Sequence, residues 1–588
     1  MKSFLKMFFA SLLAIIIFSV IIFLIFLGII TAAVNTKETI TVGKKTVLVL
    51  NLDKRLNEQS SFNPLNAILR KGNVSVPGLH DITDAIRRAT DDDRIKGIFI
   101  EMDGDPNGFA TNEEIRRALL GFKKSGKFVY AYGTVISQKG YYVASAADKI
   151  FLNPVGMLDF SGLSVQFMFF KGALDKLEIN PQVFFEGKYK SATEPFRVTQ
   201  MTPANKTQTN VYLSDLYQHF LEGISDSRHI DTASLFQFAN EGLIRTAYDA
   251  LKYGLVDGLK YDDEVKDAIR GKDGIAANDK IPFMSVAKYA RANPPADNSS
   301  KESIAVLYAQ GDIVSSGSNT SGDPQIAADQ YVPLIRELRK DSSIKAIVFR
   351  VNSPGGSALA ADAIWRELLL AKQVKPVIVS MGDYAASGGY YISCEADSIF
   401  TEPNTLTGSI GVFSIIPDLQ SFFKNKLGIT FDGVKTAQYA DMGSYAQPLT
   451  NIEKQFIQEG IDSVYATFKH KVAMGRHLPE QVVDSIAQGR VWSGASAIKI
   501  GLADKLGGLQ AAIACAARMA HLTSYSLATY PKQEATFQKV LHQFSDDAQT
   551  KILKEQLGKN YLLYRNIKRM TQSEGETLAR LPFNILVN

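Results

Sequence analysis

Short apolar runs alternate with stretches whose apolar residues fall at helical spacing along most of this chain. Lys45–Leu50 and Ile95–Met102 read as buried strands, and Asp81–Thr90 between them as an amphipathic helix. The same order recurs as Ser303–Tyr308, Tyr331–Arg339 and Ile344–Val351, strand then helix then strand. Such alternation predicts an α/β architecture. Ahead of it, Met7 to Thr36 holds no charged residue. That run exceeds the roughly 7–15 apolar residues of a cleavable signal and suffices for the roughly 20 of a bilayer span. Thr31-Ala-Ala is a poor cleavage match, so an uncleaved signal anchor is expected. Lys2 and Lys6 before it favour a cytoplasmic N-terminus, although Lys37, Lys44 and Lys45 weaken the asymmetry. The expected layout is residues 1–6 cytoplasmic, 7–34 spanning, 45–290 and 303–523 as two α/β units, and 524–588 as a polar, partly helical extension. A Pro/Asn/Ser-rich linker, 291–302, joins the two units.

The two units are copies of one another. Ile95-Lys-Gly-Ile-Phe-Ile100 resembles Ile344-Lys-Ala-Ile-Val-Phe349, Gly140-Tyr-Tyr142 matches Gly389-Tyr-Tyr391, and Ala147-Asp148 matches Ala396-Asp397. These pairs keep one separation (389 − 140 = 249), a period too long for a solenoid, so a domain is duplicated. In that register Ser387 faces Gln138, Gly355-Gly356 face Pro106-Asn107, and Ser409 faces Phe160. Scaffold residues persist while three polar or glycine positions change together. The second copy is therefore the chemically equipped one. In the opposite direction Lys190 of Gly187-Lys-Tyr-Lys190 faces Thr436, one position from Lys435. A lysine kept in one copy and a serine in the other suggest one site built from both.

Ser387 lies in Met381-Gly-Asp-Tyr-Ala-Ala-Ser-Gly-Gly-Tyr390, between the apolar run Pro376–Ser380 and a segment, Tyr390–Asp397, expected to be helical. Small neighbours allow a sharp turn and close approach of another chain. Acyl transfer by a serine needs a base and N–H donors for the developing oxyanion. None of the seven histidines falls in the motif segments; His477 in Gly-Arg-His-Leu-Pro reads as a loop or helix-cap residue. A lysine serves if burial keeps it neutral. Lys190 and Lys188 would share one face of an extended strand with Tyr189 opposite. Composition narrows little further. With 46% hydrophobic and 21% charged residues the chain is mostly globular, and a formal charge of +5 without a basic tract gives no reason to expect nucleic acid. Two cysteines, Cys394 and Cys515, sit in small apolar contexts, and no metal-ligand spacing or cofactor motif occurs.

Asn352-Ser-Pro-Gly-Gly356, Met381–Tyr390, Thr405-Leu-Thr-Gly-Ser-Ile-Gly411 and Gly187-Lys-Tyr-Lys-Ser-Ala192 together resemble the signal peptide peptidase A (protease IV) family. The duplication and N-terminal anchor mark its long form. The resemblance implies two tandem Clp protease/crotonase-like domains behind a transmembrane helix, assembled as a homotetramer. It implies a membrane-bound serine–lysine protease of the bacterial inner membrane, facing the periplasm and degrading signal peptides left after secretion. By the same resemblance Ser387 is the nucleophile, Lys190 the general base and Ser409 the lysine's hydrogen-bond partner. Gly355, Gly356 and Gly388 supply the oxyanion turn; no cofactor or metal is implied. Two other classes remain open from the residues themselves. One is a non-catalytic membrane scaffold or quality-control adaptor, since the first copy keeps the fold without the polar sites. The other is acyl-CoA chemistry, against which an exported location argues.

Overall fold

The computed structural model describes residues 2–35, 40–62, 75–276, 279–294, 300–317, 324–532 and 576–581, with a few positions between 553 and 564. The chain opens with one helix, Lys2–Asn35, of 34 residues. Among the described residues no helix is long and apolar enough to cross a membrane. The apolar run of this helix continues through 23–35, whose side chains lie outside that set.

The first repeat is a six-stranded, all-parallel sheet. Its strands are β1 (Thr46–Asn51), β2 (Ile95–Glu101), β3 (Phe128–Ile136), β4 (Lys149–Leu158), β6 (Gly258–Leu259) and β7 (Phe283–Ser285), in the order β6-β4-β3-β2-β1-β7. The strand β5 (Asn180–Phe185) leaves this sheet for another. Strands buried on both faces need continuous apolar runs, and Ile98, Phe99 and Ile100 supply one in β2. The helix expected over Asp81–Thr90 forms as Leu79–Ala89, with Ile82, Ala85, Ile86 and Ala89 buried.

The second repeat repeats the plan with β8 (Ser303–Gln310), β11 (Ile344–Ser353), β13 (Val377–Ala386), β15 (Leu406–Gly408), β17 (Val491–Ser493) and β19 (Ser526–Tyr530), in the order β17-β15-β13-β11-β8-β19. β14 (Ser398–Thr401) pairs with β13, and β18 (Lys505–Leu506) with β14. β19 pairs in parallel with β8 as β7 pairs with β1, so this sheet runs past residue 523 and its last strand does have a counterpart in the first copy. The expected boundary at 523 therefore falls short of the second unit's last strand. A tail strand pairs only by tertiary contact, and its apolar signal is too short to read alone.

A third, mixed sheet ties the chain together. It holds β9 (Asp312–Val314), β10 (Gln325–Ala327), β12 (Gly355–Ser357), β16 (Phe413–Asp418) and β20 (Leu578–Arg580), in the order β10-β9-β12-β20-β16-β5. First repeat, second repeat and C-terminal tail thus share one sheet. The hydrophobic core of the first repeat likewise includes Ala386, Leu406, Val491 and Leu581. Five residues of the 291–302 linker, 295–299, lie outside the described residues.

Candidate active site

β13 is longer than the run Pro376–Ser380 suggested and ends at Ala386. The next residue, Ser387, has φ 54° and ψ −113°. A non-glycine residue held there stores on the order of 1–3 kcal/mol of strain, tolerated where the surroundings enforce it. They do: the Ser387 N–H donates to Gly408 O (2.7 Å), and the Ser387 carbonyl accepts from Tyr391 N (2.8 Å). The helix that follows is a single turn, Gly388–Tyr391, and begins earlier than the Tyr390–Asp397 helix expected. It starts at the glycines because the chain must come close here. A Cβ on Gly388 would lie 3.2 Å from the Gly355 Cα and one on Gly389 2.7 Å from Ser353 O.

Lys190 arrives from the first repeat. β5 stops at Phe185, and 187–190 form a turn in which Lys190 N–H donates to Gly187 O (3.0 Å). The extended strand with Lys188 and Lys190 on one face is therefore not formed. Gly187, with φ 107°, breaks it, and Lys188 is left exposed. Tyr189 N–H donates to Gln488 O (2.7 Å), and a Cβ on Gly489 would strike the Lys190 backbone at 2.7 Å. The turn is thus clamped against the second repeat.

This clamp delivers the Lys190 Nζ to 2.9 Å from Ser387 Oγ and 3.2 Å from Ser409 Oγ, with Ser409 O at 3.3 Å. Lys190 is 2% exposed, and Ser387 and Ser409 are equally enclosed. Burial alone pushes the Lys190 pKa well below the ordinary lysine value, with no carboxylate opposing it. The Phe413 ring centroid lies 5.9 Å from the Lys190 Nζ. A neutral amine at this distance can take the hydroxyl proton of Ser387.

Of the three glycines, Gly355 has φ 104°, which only glycine takes without strain, and its N–H donates to Ser353 Oγ (3.1 Å). Gly356 lies in β12, paired with Ile313 on one side and Ala579 on the other. Strand β20, which the sequence did not signal, crosses the site antiparallel to β12 and touches β16 through the Leu578–Phe413 pair. Ala358 N–H donates to Thr577 O (3.0 Å) and Leu581 N–H to Pro354 O (2.8 Å). A Cβ on Gly355 would lie 2.1 Å from Ala579 O and 2.9 Å from Gly388 N. The Ala579 carbonyl thus already sits beside Gly355 and Gly388.

The corresponding positions of the first repeat are plugged. Gln138 donates from Nε2 to Gly162 O (2.8 Å) and accepts from Gly162 N (2.9 Å), while Phe160 packs edge-on against Tyr141. Lys435, the lysine nearest the Lys190 position in the second repeat, is exposed and paired with Asp441 at 2.9 Å. His477 caps the helix Asn451–Arg476, and the His219 and His470 hydrogen bonds go to Glu113, Tyr142 and Glu480, away from Ser387. Cys394 and Cys515 are buried free thiols. Among the described residues no cluster of ligating side chains could hold a metal.

A strained serine on a strand-to-helix turn, a buried amine and a strand-binding edge define a serine peptidase class of site. Comparison with known proteins agrees. The model of Peptidase family S49 matches this chain twice, over residues 121–275 and 370–523. Protease 4 of Salmonella typhi is 37% identical over 473 residues, 79% of this chain and 75% of the relative. Protease 4 of Haemophilus influenzae is 33% identical over 83% of this chain and 82% of the relative. The chloroplastic serine protease SPPA of Arabidopsis thaliana is 35% identical over 82% and 70%. The chain belongs to peptidase family S49, in its long, duplicated form, and is a serine protease.

Proposed function

We propose that this protein is a membrane-anchored endopeptidase that cuts apolar peptides with a serine–lysine dyad, cleaved signal peptides being the substrate class. Ser387 attacks the scissile carbonyl while neutral Lys190 takes its proton and later returns it to the leaving amine. Ser409 orients the amine. The Gly388 N–H is the favoured oxyanion donor, because the Gly355 N–H is engaged by Ser353 Oγ. The observation that carries this reading is the 2.9 Å approach of the buried Lys190 Nζ to Ser387 Oγ, with no carboxylate among the described residues opposing its lowered pKa. The β20 strand supports a peptide substrate: an extended chain between β12 and β16 would be held by main-chain hydrogen bonds. Wild-type protein is expected to react at Ser387 with a fluorophosphonate probe, and Lys190→Ala to lower that rate by about 10²–10⁴-fold while remaining folded. Equal labelling of the two would remove Lys190 as the base, and no labelling of the wild type would remove Ser387 as the nucleophile.

The helix Lys2–Asn35 supports the anchor. At about 1.5 Å per residue its 34 residues reach about 50 Å, against roughly 30 Å of hydrocarbon. The full chain should stay with membranes through alkaline carbonate washing, and a chain lacking residues 1–35 should be released; release of both would remove the anchor. The Clp protease/crotonase-like fold, the homotetramer and the placement of the catalytic domain on the periplasmic face of the inner membrane rest on the family resemblance.

A further inference from the structure

Three residues before Ser387, the pairing of β11 with β13 slips. Val351 is opposite Met381, but Ser353 is opposite Ala385, so Asn352 alone faces Gly382, Asp383 and Tyr384. A bulge of this kind leaves backbone groups without ladder partners and re-aims the chain beyond it. Here the chain beyond it is the serine. Asn352 fills the gap: its Oδ1 accepts from Tyr384 N–H at 3.2 Å.

In the first repeat the equivalent pairing of β2 with β3 ends at Glu101 opposite Tyr132, and one side chain of that repeat serves the backbone just beyond it. Asp103, 249 residues before Asn352, accepts from Thr134 N (2.6 Å) and Val135 N (3.4 Å). A carboxylate needs nothing more, having only acceptor oxygens. An asparagine also carries an NH₂ that must find an acceptor when buried. The Asn352 Nδ2 finds it in Glu58 Oε1 at 2.6 Å, a residue of the first repeat. Gly382 is glycine for the same reason, since a Cβ there would lie 2.6 Å from that Glu58 oxygen.

Glu58 is held by the first repeat's own abandoned turn. Asn107, which stands where the second repeat has Gly356, accepts from Leu56 N–H at 2.8 Å, and Leu79 N–H donates to Asn57 O at 2.8 Å. The remaining bulge residue is taken by the first repeat too: the Asp383 carboxylate accepts from Thr111 N (3.0 Å) and Thr111 Oγ1 (2.9 Å). Arg350 lies two residues before Asn352 on the same face of β11. It binds Glu58 (2.8 Å), Glu114 (2.5 Å) and Ser380 Oγ (2.9 Å). Loss of the Glu58 charge therefore leaves Arg350 paired with Glu114.

We propose that Glu58 is a positioning residue for the active site, acting through Asn352 to set the bulge that aims Ser387 and the turn that starts at Ser353. The first repeat thus contributes two things to the chemistry: the amine of Lys190 and the brace for the serine strand. This rests on Ser387 being the nucleophile.

The test exchanges the pair. Glu58→Gln and Asn352→Asp are made singly and together, and each is assayed for peptide hydrolysis, fluorophosphonate labelling of Ser387 and Tm. In the double variant the amide now at position 58 can donate to the carboxylate now at position 352. That carboxylate in turn accepts from Tyr384 N–H, as Asp103 accepts from Val135 N–H. Each single variant is expected to lose about tenfold or more in kcat and labelling rate with KM little changed. The double should recover to within about threefold of wild type. Labelling of Glu58→Gln at the wild-type rate, or a double variant no better than the worse single, overturns the inference. Should a single variant fail to fold, the double decides: active supports the exchange, inactive or unfolded overturns it. Wild-type protein labelled alongside keeps the readings apart, because an unlabelled wild type sinks the nucleophile itself, and this inference with it.

Discussion

At the scale of single residues, the decisive one is Lys190, whose amine is buried with two hydroxyls and the Ser409 carbonyl and, among the described residues, no counter-ion. Its lowered pKa has two consequences of definite sign. On the proposed dyad, activity requires the neutral amine, so kcat/KM should rise with pH through the folded-state pKa and fall below it as the amine takes a proton. Stability follows the same direction. Between the lowered pKa and 10.5, the ordinary lysine value, the unfolded chain binds more protons than the folded one, so this group's contribution to stability rises with pH. Its burial cost is fully present below that window. Lys190→Met should therefore be inactive yet melt above wild type at neutral pH, with a flatter dependence of Tm on pH. A lower Tm at every pH would show that the lysine is not strained by burial. Ser387, Lys190 and Ser409 were all legible in the sequence, because comparing the two copies exposes which polar residues each retained. Glu58 and Asn352 were not legible, since a part-buried hydrogen bond between residues 294 positions apart leaves no local pattern.

Among the elements, strand β20 is the one that matters most and the one least visible beforehand. Its three residues, Leu578–Arg580, complete the mixed sheet between β12 and β16 and occupy the edge an extended peptide would need. Removing residues 576–588 should lower KM for a peptide substrate severalfold with kcat little changed, since the tail competes for that edge. An unchanged KM in the truncated protein would mean that substrate enters elsewhere. The longer strands and the helix Leu79–Ala89 formed as their periodicity indicated. The helix after Ser387 and the strand through Lys190 did not. Close packing at Gly388 and Gly389 sets where the helix starts, and Gly187 with Gly489 turns the lysine segment inward, both effects of neighbours distant in the chain.

For the whole molecule, the two repeats are not independent units with a site in one of them. Lys190 and Ser387 of one chain already meet, so mixing purified Lys190→Ala with purified Ser387→Ala should restore no activity. Recovery on mixing would mean that a site is shared between chains. Glu402, buried in the second repeat, pairs with Arg117 of the first, and Arg350 reaches Glu58 and Glu114 across the same boundary. The sequence by itself determined the α/β class, the duplication and which copy kept which polar group, because those are carried by periodicity and by residue identity at a constant offset. Tertiary structure alone decided that the amine and the hydroxyl stand 2.9 Å apart, that the amine is buried so that its pKa is lowered, and that β20 pairs alongside β12. Those depend on distances between segments hundreds of residues apart, and only the packed chain sets them.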